Sequence, residues 1–346
     1  MEIKPFLKEY SEKIDDFLDE FFLDKVSEAK KIDPLAVDVV KTLSFYIKGG
    51  KKVRGGLTYL GYKIAGGKDD KSIVPVSAAV EIMHSAFLIH DDFIDSDKMR
   101  RGKPTVHEIY AEGHSGHYGG SIALMIGDLG IFFANQIISS SKFPSQRINQ
   151  AISKFQELLI KTGYGQILDI AYDFKKNISW EEIEKVRVYK TAYYTFIMPL
   201  QVGATLAGAK KVTFSAMKKY GVPTGIAFQL RDDILGIFGK AEITGKSTLG
   251  DITDGKRTFL FVKALELAGK SDASFLKKHY GSKKLDAEKI NKIKKIIEIS
   301  GALDYSEKLC RKLVGEGKSF IPAITRNKNY QKILSSLADF AITRKK

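Results

Sequence analysis

A short acidic stretch at the end of an apolar segment is the first feature of this chain that could do chemistry. The stretch "HDDFIDSD" (90–97) contains Asp91, Asp92, Asp95 and Asp97, of which the last is interpreted as a solvated charge. In a helix, Asp91 and Asp95 project from one face, and Asp92 lies beside them. Like charges at this spacing repel, and the helix dipole disfavours anions at a helix C-terminus. The stretch therefore predicts bound cations, and carboxylates without a nearby cysteine favour ions with oxygen ligands, such as Mg²⁺.

A second pair of aspartates lies far downstream, in "FQLRDDILG" (228–236). Asp232 and Asp233 interrupt another apolar helical run there. If the two helices faced each other across a cavity, both clusters could hold one ligand through metal ions. Mg²⁺ in proteins binds a few carboxylates and completes its shell with water and phosphate oxygens. The two clusters together predict a diphosphate ligand.

Basic residues near these motifs could receive the anionic part of such ligands. The stretch "GGKKVRG" (49–55) places Lys51, Lys52 and Arg54 where a glycine turn meets a helix. Cations and the backbone N–H groups of a helix start both favour bound anions. Further cations lie near the other motifs: Arg100, Arg101, Lys190, Lys246 and Lys256. Together they predict a pair of substrates that each carry phosphate.

The elements that must position these residues are helices almost throughout, as the spacing of apolar residues indicates. Predicted helices cover residues 5–31, 35–48, 52–66, 73–95, 119–140, 146–172, 181–208 with a break near 189–191, 212–237, 257–268, 286–299, 302–316 and 330–342. Glycine- and proline-rich segments separate them. No stretch is typical of a sheet, so the sequence predicts one all-α domain over residues 1–346.

Composition limits the function classes. The chain has 346 residues and a net charge of +15 that is spread along the sequence, so we expect anionic small substrates and no nucleic acid. A single cysteine, Cys310, suits a reducing, cytoplasmic location, and the charged N-terminus does not resemble a signal peptide. Residues 191–209 carry no charge, which leaves a membrane span open, but their proline, glycines and threonines favour a buried helix.

The motifs and their order resemble those of the trans-isoprenyl diphosphate synthases, the family of the farnesyl and geranylgeranyl diphosphate synthases. "GGKKVR" is similar to the family's GGKRxRP motif, and residues 81–107 resemble its first aspartate-rich region followed by RRGxPT. Further motifs follow in the family's order: "GD" (127–128), "GQILDI" (165–170), "KTAYYTF" (190–196), "FQLRDDILG" (228–236) and "GKSTLGDITDGKRT" (245–258). The resemblance covers residues 40 to 260 or so, and the paired aspartates with RRGKPT are its most specific part.

The resemblance implies an all-α isoprenoid synthase fold around a deep central cavity, in a homodimer without an integral membrane segment. It also implies a head-to-tail condensation of isopentenyl diphosphate with an allylic diphosphate such as dimethylallyl, geranyl or farnesyl diphosphate. Three Mg²⁺ ions would bind the allylic diphosphate to both aspartate motifs and assist its ionisation to a carbocation. Attack by the double bond of isopentenyl diphosphate and loss of a proton would then give a longer trans product.

The resemblance also implies a role for each matching residue on the allylic side. The direct metal ligands would be Asp91, Asp95 and Asp232. The residues that hold metal-bound water would be Asp92 and Asp233. The allylic diphosphate would contact Arg100, Lys190 and Lys256, and Lys246 is expected to be a further substrate-binding cation.

On the other side, the resemblance implies an isopentenyl diphosphate site made of Lys51, Arg54, His84 and Arg101. A helix break at Lys190 and Thr191 and the amide of Gln229 would direct dipoles at the developing carbocation. One position departs from the family. Many members have DDxxD as the second motif, whereas Gly236 stands here in the last place. Two carboxylates remain, so activity stays the expectation, without a third carboxylate at that position.

The growing tail is expected to run from the diphosphate along the helix that carries Asp91, and four residues of a helix rise by about 6 Å. Residues about one turn before Asp91 are therefore expected to form the floor of the pocket and to limit the length of the product. These residues are Phe87 and Ala86, and Met83 lies one turn deeper. Farnesyl synthases of the animal type tend to have aromatic residues at both positions. Ala86 opens one side of the pocket floor and Phe87 partly closes the other, so we expect the C20 product geranylgeranyl diphosphate. A C15 product and products of C25 or longer remain open.

Rival functions fit the same sequence less well. A class I terpene cyclase would share the fold and the first motif, but it does not need an isopentenyl diphosphate site and has Asn, Ser and Glu in its second metal motif. A non-catalytic subunit of a hetero-oligomeric prenyl synthase would be expected to lose aspartates of the first motif, and all are retained. A helical nucleic-acid binder would show a recognisable motif, which we do not find.

Overall fold

The computed structural model describes residues 1–175, 178–239, 250–282 and 284–344. The predicted substrate-binding residue Lys246 lies outside these ranges. The chain divides into two compact units. Unit 1 comprises Met1–Gln156, Met198–Phe214 and Asn327–Ile333, and unit 2 comprises Glu157–Ile197, Ser215–Arg326 and Leu334–Lys346. The expectation of one domain over the whole chain stays a prediction.

Unit 1 is built around one long central helix. Its elements are α1 (Ile3–Ala29), α2 (Pro34–Ile47), α3 (Val53–Ile64), α4 (Asp70–Ile94), β1 (Met99–Arg100), β2 (Lys103–Pro104), α5 (Val106–Ala111), α6 (Gly116–Ser139) and α9 (Met198–Leu206). The central helix is α4, which packs against α1, α2, α3, α5, α6 and α9. Its residues Ile73, Val76 and Ile82 are fully buried, so the helix that carries the first aspartate motif is held from several sides.

Unit 2 contains the second aspartate motif. Three helices begin in unit 1 and continue in unit 2: α7 (Ser145–Asp173), α10 (Lys211–Phe238) and α17 (Lys328–Thr343). The other elements are α8 (Trp180–Val186), a π-helix (Arg187–Ile197), α11 (Gly250–Thr253), α12 (Phe259–Leu267), α13 (Lys270–His279), α14 (Ala287–Ile299), α15 (Ala302–Ser319) and α16 (Ile321–Ile324). Ile234 and Ile237 of α10 join a core cluster with α12 and α14, which fixes the end of α10 near the aspartates.

Capping residues explain where several helices begin. The carboxylate of Asp69 accepts a hydrogen bond from the N–H of Ser72 at the start of α4. Ser179 and Glu182 form a reciprocal capping box at the start of α8. Such caps satisfy N–H groups that have no partner inside the helix, and each contributes about 0.5–2 kcal/mol. The helix starts are thus encoded locally, in residue types that a sequence shows directly.

The all-α fold class is confirmed. The ends of the predicted helices differ from the observed ends by at most three residues. The sequence missed α5, α11, α13, α16 and the hairpin of β1 and β2, and all of these except α13 are too short to show a period. The predicted helix break near residues 189–191 is not an interruption of the helix. A π-helix, which is a wider winding that often marks functional sites, runs there from Arg187 to Ile197.

Two helices of the described part, α4 and α6, are long and apolar enough to cross a membrane by length and composition alone. In α4, 72% of the apolar window is buried in the structure, as in a core helix, whereas in α6 only 39% is buried. The uncharged segment 191–209 is not among them. Residues 191–206 are buried throughout, which confirms the expectation of a buried helix there.

Candidate active site

The first aspartate motif lies at the C-terminal end of α4 in unit 1. The helix ends at Ile94, and Asp95 is its C-cap. Asp92 is fully buried, Asp91 is partly buried and Asp95 is exposed. Burial therefore separates the two predicted metal ligands, which solvent reaches, from Asp92, which it does not reach.

Arg100 holds the buried carboxylate of Asp92. The Nε atom of Arg100 lies 2.6 Å from each carboxylate oxygen of Asp92, and an Nη atom also contacts Asp92. The hairpin of β1 and β2 presents Arg100, and Arg101 and Gly102 form its turn with φ angles of 52° and 75°. Burial disfavours the charged form of Arg100, but the hydrogen bonds and charge of Asp92 raise its pKa above the usual value. The fork fixes both side chains in direction, so Asp92 and Arg100 orient each other.

Three of the predicted isopentenyl diphosphate residues come together in unit 1. Arg54 Nη1 lies 2.9 Å from His84 Nε2. A Cβ atom added to Gly50 would lie 3.1 Å from Arg101 Nη2, so Arg101 is against the glycine turn. Lys51 follows Gly50 directly and is exposed. The cluster thus joins the start of α3, the middle of α4 and the turn of the hairpin.

The positive charges of this cluster act on the groups between them. Burial, together with the charges of Arg54, Arg101 and Arg100, lowers the pKa of His84 well below its usual value. His84 is therefore neutral at pH 7, and its Nε2 can accept a hydrogen bond from Arg54. Glu81 is buried beside them, and its Oε1 accepts a hydrogen bond of 2.6 Å from the N–H of Gly55. Burial raises the pKa of Glu81, while the charge of Arg54 opposes this shift.

The second aspartate motif lies near the end of α10 in unit 2. Asp233 is buried, and its carboxylate contacts the guanidinium group of Arg187, the first residue of the π-helix. Asp232 has a side chain that is 41% exposed, and its Oδ1 lies 2.5 Å from an Nη atom of Arg344. In each motif, the second aspartate is therefore buried and contacts an arginine, and the first aspartate is more accessible.

A chain of hydrogen bonds links the π-helix to this motif. Thr191 Oγ1 donates to Gln229 Oε1 at 2.8 Å, and Gln229 Nε2 donates to Asp233 Oδ1 at 3.2 Å. The π-helix and α10 approach closely, because a Cβ atom added to Gly225 would lie 2.4 Å from the Cα atom of Ala192. Burial raises the pKa of Asp233, and the charge of Arg187 and the amide of Gln229 oppose this shift. The network fixes the orientation of the Gln229 amide.

Two further predicted cations lie in unit 2. Lys190 Nζ lies 2.5 Å from Asp169 Oδ2, which belongs to the "GQILDI" motif on α7. Lys256 is partly buried and follows Gly255, whose φ of 71° makes the turn after α11. Their proposed contacts with substrate stay predictions.

The glycine that departs from the family motif lies next to the carboxylate of Asp251. A Cβ atom added to Gly236 would lie 1.9 Å from Asp251 Oδ2, so a side chain at position 236 would displace this carboxylate. Asp251 lies in α11, inside the motif of residues 245–258. A third carboxylate is thus present beside Gly236, although it comes from another part of the chain.

The sequence did not single out Arg187, Asp251 or Arg344. Asp251 lies within a quoted motif, and that signal could have found it. Arg187 stands three residues before Lys190 without a motif of its own, and Arg344 is near the end of the last helix. Only their contacts with the second aspartate motif mark them.

The donor atoms fit a hard cation that shares its ligands with a diphosphate. Among the described residues, no group of three His, Cys, Asp or Glu side chains lies close enough to hold a metal ion by itself. Mg²⁺ suits this arrangement, because it keeps several waters and takes one or two carboxylates plus phosphate oxygens.

Known proteins resemble this chain in sequence and in fold. Residues 37–299 match the polyprenyl synthetase family. The structure is similar to that of geranylgeranyl pyrophosphate synthase from Corynebacterium glutamicum complexed with isoprenyl diphosphate and magnesium, with a TM-score of 0.90 and 30% identity over 99% of this chain and 100% of that chain. Geranylgeranyl pyrophosphate synthase of Geoglobus acetivorans is 32% identical over 86% of this chain and 88% of its own. Geranylfarnesyl diphosphate synthase of Aeropyrum pernix is 31% identical over 86% of this chain and 91% of its own.

Proposed function

The chain belongs to the polyprenyl synthetase family and is a prenyltransferase, and from this premise we propose that it condenses isopentenyl diphosphate head to tail with an allylic diphosphate. The observation that carries the proposal is the cluster of Arg54, His84 and Arg101 beside the glycine turn. A class I cyclase does not need such a site. A non-catalytic subunit would not need the accessible pair Asp91 and Asp95.

Isopentenyl diphosphate is proposed to bind Lys51, Arg54 and Arg101, which supply the charge that its diphosphate needs. His84 carries no charge and accepts from Arg54 through Nε2, so it orients the guanidinium group of Arg54 without adding charge repulsion. This arrangement would hold the substrate by one end and leave its double bond free to react.

The allylic diphosphate is proposed to bind through Mg²⁺. Asp91, Asp95 and Asp232 are the proposed ligands, with three ions as the proposed number, and Asp251 adds a carboxylate beside Gly236. When bound, Mg²⁺ would withdraw charge from the leaving diphosphate. Asp92 and Asp233, each held by an arginine, would orient water around the metal. The remaining cations proposed for this diphosphate are Arg100, Lys190, Lys246 and Lys256.

The residues proposed to stabilise the carbocation are Thr191 and Gln229. The hydroxyl group of Thr191 and the carboxylate of Asp233 fix the Gln229 amide, so its dipole needs no reorientation when positive charge develops. The π-helix offers main-chain carbonyl groups in a widened turn at the same place. Fixed dipoles of this kind stabilise a developing charge more than mobile water does.

The proposed product is geranylgeranyl diphosphate, and C15 or C25 and longer products are the alternatives. Ala86 and Met83 are fully buried, whereas Phe87 is partly buried. A Cβ atom added to Gly130 of α6 would lie 2.9 Å from the Cβ of Ala86, so Ala86 occupies a close contact between α4 and α6. Phe87 is therefore the residue on which product length can be tested without disturbing that contact.

Replacing Phe87 with alanine should lengthen the product beyond C20. The measurement is chain-length analysis of products from radiolabelled isopentenyl diphosphate. Phe93→Ala, a matched change on the same helix after Asp91, should leave the length unchanged. An unchanged product from Phe87→Ala would contradict the assignment of Phe87.

The proposed assembly is a homodimer located in the cytoplasm. The exposed side of α6 is apolar, with Leu124, Met125 and Phe132 at 40%, 54% and 61% exposure. Apolar patches of this kind mark protein contacts. Phe132→Asp should halve the mass measured by light scattering, whereas Leu23→Asp on α1, where Leu23 is also exposed, should not.

One assay tests the activity itself. Purified protein is incubated with Mg²⁺, isopentenyl diphosphate and dimethylallyl, geranyl or farnesyl diphosphate, and products are separated by chain length. Condensation supports the proposal. Cyclic hydrocarbons without condensation would favour a cyclase, and inactivity with every primer would refute the proposed reaction.

A further inference from the structure

Two aspartates of α1 contact the segment that leads into α3. Asp15 pairs with Lys52, and Asp19 Oδ1 lies 2.8 Å from Lys48 Nζ. The two aspartates are four residues apart and therefore share a face of the helix. None of the motifs that indicated the function includes α1, so these contacts need a reason of their own.

The two ion pairs differ in their surroundings. The side chain of Lys52 is only 4% exposed, whereas those of Lys48 and Asp19 are 59% and 58% exposed. An ammonium group that is buried needs a partner, because burial otherwise disfavours its charge. Asp15 provides that partner, and the neighbouring Lys51 is exposed. The two consecutive lysines of the turn thus differ in burial: Lys52 is buried against α1, and Lys51 is exposed.

The backbone at Lys52 is also unusual. Its φ of 46° and ψ of 43° lie in the left-handed region, which residues other than glycine adopt at an energetic cost. Gly49 and Gly50 also have positive φ, but glycine tolerates such angles. A conformation of this kind persists only where the surrounding structure determines it. At Lys52 one determinant is the ion pair with Asp15, and the buried carboxylate of Glu81 also interacts with the charge of Lys52.

We propose that Asp15 is a positioning residue for the isopentenyl diphosphate site. By holding Lys52 on α1, it fixes the left-handed turn and thereby the directions of Lys51 before it and Arg54 after it. The other side of the same turn faces Arg101, and Arg54 lies on His84. The inference rests on the proposed function, since it assigns Asp15 to the binding of one of the two substrates.

The test uses Asp15→Asn, with Asp19→Asn as the matched control on the same helix. Binding of isopentenyl diphosphate without metal is measured by calorimetry, and KM is measured for each substrate. Asp15→Asn should weaken binding and raise the KM for isopentenyl diphosphate on the order of tenfold, since small misplacements of binding groups have large effects. The KM for the allylic substrate should change less than about twofold. Asp19→Asn should leave both constants near those of the wild type, and Asp15→Glu should restore part of the loss.

A second variant separates the turn from the charge. Glycine adopts the left-handed conformation without a partner, so Asp15→Asn should have no further effect on the KM for isopentenyl diphosphate when it is added to Lys52→Gly. Equal losses for both substrates in Asp15→Asn, or a further rise in the KM for isopentenyl diphosphate when Asp15→Asn is added to Lys52→Gly, would overturn the inference. If the wild type binds isopentenyl diphosphate and condenses it, but Asp15→Asn does the same with equal constants, the inference alone fails. If the wild type does neither, the proposed function fails with it.

Discussion

Replacing Arg187 with methionine should strongly destabilise unit 2. The side chains of Arg187 and Asp233 are 3% and 6% exposed, so the change would leave a buried carboxylate without its counter-charge. Removing one partner of a buried ion pair costs about 3–5 kcal/mol. Gln229 still donates to Asp233 at 3.2 Å, which favours the lower end, about 3 kcal/mol. Methionine retains part of the packing against Trp180 and Phe259, whose rings lie 5.9 and 5.3 Å from the guanidinium carbon.

The loss should depend on pH in a defined direction. Burial already raises the pKa of Asp233 in the folded protein, and Arg187 opposes this shift, so its removal raises the pKa further. A folded pKa above the unfolded one means that the folded state binds more protons, and stability falls as pH rises between the two values. The deficit of the variant should therefore be larger at about pH 8 than at about pH 5, because a lower pH favours the protonated, uncharged form of Asp233.

The assay is urea unfolding followed by far-UV circular dichroism at both pH values. Arg187→Met/Asp233→Leu, which removes both charges, should recover most of the loss, since replacement of a whole buried pair is often neutral. Lys308→Met, which breaks the exposed pair with Asp304, should have little effect. A deficit that does not vary with pH, or a double variant as unstable as the single one, would refute the reasoning.

Further substitutions test the second aspartate motif and its helix. Asp251→Asn should raise the Mg²⁺ concentration needed for half-maximal activity. The double variant Asp251→Gly/Gly236→Asp should need less Mg²⁺ than either single variant, because one carboxylate then occupies the space beside the second aspartate motif. Arg344→Ala should lower that Mg²⁺ concentration about two- to fivefold, the equivalent of roughly 0.5–1 kcal/mol for a partly exposed pair; an increase would show that the arginine assists binding. Gly225→Ala should destabilise the protein by about 1–3 kcal/mol in urea unfolding, since its Cβ would meet the backbone of the π-helix, whereas Gly163→Ala has open space and should not.

Local sequence patterns predicted most of the helices and much of the function. Apolar periodicity and capping residues such as Asp69 and Ser179 located the helices, because these signals act within one or two turns. The four-residue spacing of Asp91 and Asp95 indicated a metal site in the same way. The resemblance of the ordered motifs then indicated the family, which the comparisons established. Elements without such a pattern, including the short α5 and the hairpin, were missed.

The tertiary structure determined the burial and the ion-pair partners of neighbouring residues of the same type. Asp91 and Asp92 are neighbours, yet of the two only Asp92 is buried, and it pairs with Arg100. Lys51 and Lys52 are also neighbours, and of these two only Lys52 is buried, where it pairs with Asp15. Gly236 stands where many family members have an aspartate, and it lies next to the carboxylate of Asp251, fifteen positions later in the sequence. The sequence by itself determined which helices form and which chemistry their residues offer, since propensity and spacing are local. The choice of partner for each charge depends on which helices pack together, and only the folded chain makes that choice.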